Sequence, residues 1–325
     1  MFGKMKIQNI CLFLFSAVVF ASCEKVSPTG LLIAGTAVED RVKMSSLFYR
    51  EYQDNRIDGY SDGDYTFLVG ADSHVTDDTG RMEEMLQIGL DNDDMFYAHL
   101  GDIADTKAEY YINLDKAISK YKEKFLQKLN EKHPDVDGPI TYDDVIYPFF
   151  PVVGNHDITH NGWALWSNLF HSSFYEFNIE VAENTYDHFI FLDSASGTLG
   201  ETQIDLIEQG ILDGNSNGER IRNTFVFTHT NIFRPSSLQF ASTFTREETF
   251  FLLNQFRKWN ATIVFCGHVH KWDDRVYGGV TYLTLDSMCE KNCPEPGDYL
   301  VRVHVDADGA VSWERVRMNY TKKKK

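Results

Sequence analysis

Cysteine is scarce in this chain, with five in 325 residues. The repeated Cys pairs that hold structural zinc are missing, so no such site is expected. Basic clusters are scarce too. Lys and Arg number 31 against 48 Asp and Glu, for a formal charge of −17, and the one basic block is the tail, Lys322 to Lys325. An acidic surface without a basic groove disfavours binding to nucleic-acid phosphate. There is no internal repeat, which removes solenoid and propeller architectures. Beyond the lysine tail there is no low-complexity tract.

What is present supports a large core: 43% of residues are hydrophobic and 14% aromatic. That suffices for one big domain or a domain with appendages. The first 22 residues stand apart. Lys4 and Lys6 precede an apolar run from Ile10 to Phe20, too short for a comfortable membrane span, and Ala21-Ser22-Cys23 follows. This pattern reads as a secretory signal. The Cys after small residues resembles the bacterial lipoprotein signal, which implies an exported chain lipid-anchored through Cys23 to a bacterial membrane, on its periplasmic or cell-surface face. Losing the two lysines of that segment takes the formal charge from −17 to −19. In an exported protein Cys289 and Cys293 have the spacing for a small local disulfide. Residues 23–62 read as tether and lead-in, 63–319 as the main domain and 320–325 as a basic tail.

Apolar runs of strand length alternate with helical patterns through the main domain. The runs are Tyr65–Val69, Met95–Leu100, Phe149–Val153, Phe189–Leu192, Thr224–Phe227 and Thr262–Cys266. Met82, Met85, Leu86 and Leu90 recur at helical spacing, and Thr245-Arg246-Glu247-Glu248 forms a capping box before Phe250, Leu253 and Phe256. Alternation of this kind predicts the α/β class. Towards the end, Val280–Leu285, Tyr299–Val305 and Val311–Val316 come with glycine turns, which predicts antiparallel sheet. Two insertions stand out. One carries a charged amphipathic helix, roughly Ala108 to Leu129. The other, His160 to Phe177, is rich in aromatics, most of which are expected to fill a local core.

Five of the strands end in polar clusters: Asp72-Ser73-His74, Gly101-Asp102-Ile103-Ala104-Asp105, Gly154-Asn155-His156-Asp157, His229-Thr230-Asn231 and Gly267-His268-Val269-His270. Singly, each has an ordinary explanation, such as a helix cap, a turn or a core histidine. Jointly they do not, because sites in open α/β sheets gather outside the carboxyl ends of strands. Asp72, His74, Asp102, Asn155, His229, His268 and His270 offer carboxylate, amide and imidazole donors without thiolate. Such a set suits manganese, iron, zinc or magnesium. Seven donors exceed one tetrahedral ion and suit two ions, divalent or trivalent, that share a carboxylate.

In this order, DxH, GDxxD, GNHD, H and GHxH resemble the calcineurin-like metallophosphoesterase family. The resemblance implies a two-sheet β-sandwich flanked by helices, four layers deep (α/β/β/α), with the site at the sheet ends. It implies that Asp72, His74, Asp102 and His270 hold one metal, and that Asp102 bridges to a second held by Asn155, His229 and His268. It makes His156 the catalytic histidine and Asp105 the acid that orients it, and it puts Asn155, His156 and His229 at the substrate. The implied reaction is hydrolysis of a phosphomonoester or phosphodiester of a small molecule by a metal-bridging hydroxide. Thr106-Lys107 stands where the protein serine/threonine phosphatases have Arg-Gly, and His74 and Asp105 depart from the purple acid phosphatase pattern. Two other functions fit less well. A nuclease would need a basic groove, and a non-catalytic ligand-binding lipoprotein would typically have lost donors that are all present here. Arg234 and Lys271, just beyond ligand motifs, are expected mainly in surface salt bridges. The substrate and the oligomeric state are not encoded in any motif.

Overall fold

A computed structural model describes residues 36–45, 63–132, 141, 147–213, 220–233, 243–289 and 298–320. The signal segment, Cys23, Arg234, Cys293 and the lysine tail lie outside the described residues.

The helix–strand alternation builds two sheets. In the first, β1 (Tyr65–Gly70), β2 (Tyr97–His99) and β3 (Phe149–Pro151) run parallel, and β10 (Asp298–Val305) and β11 (Val311–Arg317) continue the sheet antiparallel beyond β1. Parallel neighbours need crossovers, supplied by α2 (Gly80–Asp91) and α3 (Ala108–Lys132). The pairs Glu83–Lys120, Gln87–Lys124 and Leu90–Lys128 advance in step, so the two helices run parallel along one face. Three lysines of the first insertion's helix thus bind α2, and Tyr111 near the start of α3 reaches Asp157 in the loop after β3.

The second sheet holds β4 (Tyr175–Ala182), β5 (Thr185–Leu192), β6 (Arg220–Thr228), β7 (Ile263–Cys266), β8 (Asp273–Tyr277) and β9 (Val280–Thr284), in the order β4-β5-β6-β7-β9-β8. Strands β5, β6, β7 and β9 are parallel, with α6 (Gly200–Glu208) and α7 (Arg246–Lys258) as crossovers. The expectation for Val280–Leu285 is half met. This strand pairs antiparallel with β8 but parallel with β7, because the hairpin after His270 turns it back along the sheet.

Alternate side chains decide the layers. Phe67 and Val69 on β1, and Phe225 and Phe227 on β6, point between the sheets, whereas Leu68 and Val226 point out to the helices. The inner layer is an aromatic stack: Phe191 lies 4.4 Å from Phe227, Phe227 lies 5.0 Å from Phe265, and Phe67 lies 4.6 Å from Phe96, all near parallel. This is the two-sheet sandwich with flanking helices. Trp163 and Trp166, the former opening and the latter within α5 (Trp163–Phe170), are buried in an outer core, as the aromatic second insertion predicts. Among the described residues no helix is long and apolar enough to cross a membrane.

One helix lies ahead of all of this. In α1 (Val38–Ser45) Arg41 is fully buried, and its guanidinium donates to both Asp193 oxygens at 2.8 Å.

Candidate metal centre

The five strand ends come from both sheets and meet at one end of the sandwich. Beyond β1, Asp72 and His74 take left-handed backbone angles, with φ of 52° and 42°. Asp102 beyond β2 has φ 52°, and His268 and His270 beyond β7 have 71° and 56°. For residues with a Cβ these conformations are costly and persist only where surroundings impose them, commonly at functional sites. Gly154 is required for a different reason. A Cβ there would stand 2.1 Å from the Asp102 amide nitrogen and 2.3 Å from its Oδ1. The loop after β3 can therefore lie directly on Asp102, and the His156 amide donates to Asp102 Oδ1 at 2.7 Å. The same loop opens α4 (Asn155–Ile158).

Single donor atoms of Asp72, His74, Asp102 and His270 lie within 4.8 Å of one another. So do those of Asp102, His229 and His268, and those of His74, Asp105 and His156. Between the first two clusters, Asp102 is the common member. His270 Nε2 stands 3.3 Å from Asp72 Oδ1, and His229 Nε2 3.5 Å from Asp102 Oδ2. Asn155 Oδ1 and His268 Nδ1 approach the same His229 nitrogen, at 3.0 and 3.1 Å. All seven donors expected from the sequence are thus gathered, and His156 sits beside them, half exposed.

The profile of the calcineurin-like phosphoesterase family matches residues 65–272, a span that contains every one of these donors. The chain belongs to this family. No curated protein matches it at a significant level. Among solved structures, this calcineurin-like phosphoesterase is similar in fold to a dimetal phosphatase from Danio rerio, at 12% identity over 75% of this chain and 93% of that one, with a TM-score of 0.43. It is also similar to a purple acid phosphatase from yellow lupin (Lupinus luteus), at 11% identity over 79% of this chain and 52% of that one, with a TM-score of 0.49.

The residues of the site fit metal ions. His74 Nε2 is buried without a hydrogen-bond partner, 3.8 Å from Asp102 Oδ2. An orphaned buried nitrogen is costly unless something absent from the protein atoms completes it. Burial pushes the His74 pKa down, yet the hydrogen bond to Asp105 and the charges of Asp102 and Asp72 outweigh it and lift it to about 9. Burial would raise the Asp72 pKa, but His270, His229 and His74 hold it down to about 2. The His74 shift reports the carboxylates around it, which favour a cation, and the Asp72 shift reports the imidazoles that keep its carboxylate ionised; metal ions compete with protons for such a set of donors. The donors are oxygen and imidazole nitrogen, the set that manganese, iron, zinc and magnesium accept.

Several supporting residues in this phosphoesterase are given no role by the motifs. Asp157 is fully buried and ties two loops to helix α3: its Oδ2 accepts from the Gly154 amide at 2.8 Å, and its Oδ1 from the Ile103 amide at 3.0 Å and the Tyr111 hydroxyl at 3.1 Å. Burial and the nearby Asp102 charge raise its pKa. The Ser194 hydroxyl receives the His229 and Thr230 amides at 3.1 and 3.0 Å, and the Leu100 carbonyl lies 2.7 Å from His229 Nδ1. Thr106 and Thr159 both donate to the His156 carbonyl, at 2.6 and 3.0 Å. Asp157 had a signal in its place three residues after Gly154. Ser194, Thr106 and Thr159 had none, since each acts through a contact distant in sequence or through the backbone. Lys271 is exposed.

Proposed function

We propose that this chain is a two-metal hydrolase of phosphoric esters acting on a phosphomonoester or phosphodiester of a small molecule. The observation that carries the reading is the shared Asp102, which closes two donor clusters at once. Asp72, His74, Asp102 and His270 would hold one ion, and Asp102, Asn155, His229 and His268 the other. Bound there, the ions supply Lewis acidity toward phosphoryl oxygen and water. The protein's own part is to orient and to move a proton. His156, half exposed beside both clusters and gripped at its carbonyl by Thr106 and Thr159, is placed to protonate a departing oxygen. The acidic surface disfavours long polyanions, which supports a small substrate over a nucleic acid.

The test uses the purified chain. Hydrolysis of nitrophenyl phosphate and bis(nitrophenyl) phosphate is measured before and after dialysis against a chelator, then after return of manganese, iron, zinc or magnesium. Activity on at least one ester, lost with the metal and restored with it, is expected. Activity that survives complete metal removal contradicts the proposal, as does a metal-loaded protein inert toward both esters.

A further inference from the structure

We propose that Asp105 is a positioning residue for the metal centre, acting through His74, in addition to any service to His156. The inference rests on the two-metal reading above. Asp105 Oδ1 lies 3.3 Å from His74 Nδ1 but 4.0 Å from His156 Nδ1. The first distance is a hydrogen bond and the second is not. The two rings stand edge to face, 4.7 Å between centroids, so one carboxylate spans both.

The geometry assigns the tautomer of His74. A carboxylate only accepts, so Nδ1 must carry the hydrogen that it receives. In the neutral ring that a metal ion selects by displacing the second proton, that leaves the lone pair on Nε2, the buried atom without a partner that faces Asp102. A metal ligand needs this arrangement: one nitrogen protonated and tied back, the other bare and aimed inward. The carboxylate also makes the ring a better donor and stops it from turning, and such partners typically hold about 10–100-fold of metal affinity. The left-handed backbone of His74, φ 42°, adds a need for fixation, since nothing in that conformation is preferred by the residue itself. Asp105 can do this from the surface. Its side chain is 46% exposed while that of His74 is 7% exposed, so it can be replaced without opening the core.

Metal affinity, read by competition with a chromophoric chelator, tests the proposal on the full chain without reference to turnover. Zinc and manganese are the probes. Asp105→Ala is expected to weaken one of the two equivalents by about 10–100-fold. Asp105→Asn, whose amide oxygen still accepts from Nδ1–H but carries no charge, should fall between. His156→Ala should keep both affinities, because the His74–Asp105 pair remains. If Asp105→Ala unfolds, Asp105→Asn carries the same test. Wild-type affinity for both equivalents in a folded Asp105→Ala or Asp105→Asn protein would overturn the inference while leaving the two-metal reading intact. A wild type that binds neither metal would overturn that reading, and this inference with it.

Discussion

At the scale of single residues, His156 and Asp157 are neighbours with opposite assignments. Asp157 is sealed in and spends its oxygens on two loops and helix α3, so it builds the site. His156 is half exposed, and two threonine hydroxyls fix its backbone while its ring stays at the mouth. If its ring donates the leaving-group proton, the cost of losing it depends on the ester. An alkoxide needs that proton as its bond breaks, whereas nitrophenolate leaves well without it. General acid catalysis is typically worth ~10²–10⁴-fold. His156→Asn is therefore expected to lower kcat/KM for an alkyl phosphate by that order and for a nitrophenyl phosphate by much less. Equal losses for the two esters would assign the ring to holding phosphate instead. The motif residues were legible in the sequence because their chemistry is carried by side-chain type and local spacing. The hydroxyl grip on His156 was not, because it joins Thr106 to a carbonyl fifty residues away.

Among the elements, the strands and crossover helices follow from apolar period and capping. The capping box at Thr245 forms as written, with the Glu248 amide donating to Thr245 Oγ1 at 3.1 Å. Strands β4 and β8 were harder to read. The first begins inside an aromatic run that also suits a local core, and β8, Asp273–Tyr277, is an exposed strand of mixed charge with no apolar alternation to mark it. Helix α1 is the least expected element, since it lies in residues 23–62, which read as tether and lead-in. It is held by Arg41 and Asp193, both fully buried, and Asp193 adjoins the Ser194 hydroxyl that receives the His229 amide. The lead-in thus braces a metal-site loop. Removing one partner of a buried ion pair strands the other charge, which typically costs about 3–5 kcal/mol. Arg41→Met is expected to destabilise the protein on that scale in urea unfolding, far more than Lys43→Met in the same helix. A loss below about 1 kcal/mol would mean that Asp193 finds other compensation.

For the whole molecule, two sheets with separate crossovers close on one aromatic layer and present their strand ends on one side. Parallel strands force this polarity, since each crossover returns the chain to the same end. The first sheet supplies Asp72, His74, Asp102 and Asn155, and the second His229, His268 and His270. Neither sheet alone closes either of the two clusters that share Asp102, so the site depends on the packing of the sandwich. The convergence was legible as five strand ends in order. Which strand ends belong to which of the two expected sheets was not, because pairing partners far apart in sequence leave no local pattern.

The central claim is that Asp102 serves two metal ions. Elemental analysis of purified, metal-loaded protein, with stoichiometry per folded chain, addresses it directly. Wild type should carry two equivalents, Asp102→Asn should lose occupancy at both sites, and His74→Ala should lose it at one. A correctly folded Asp102→Asn protein that retains two full equivalents would contradict the account.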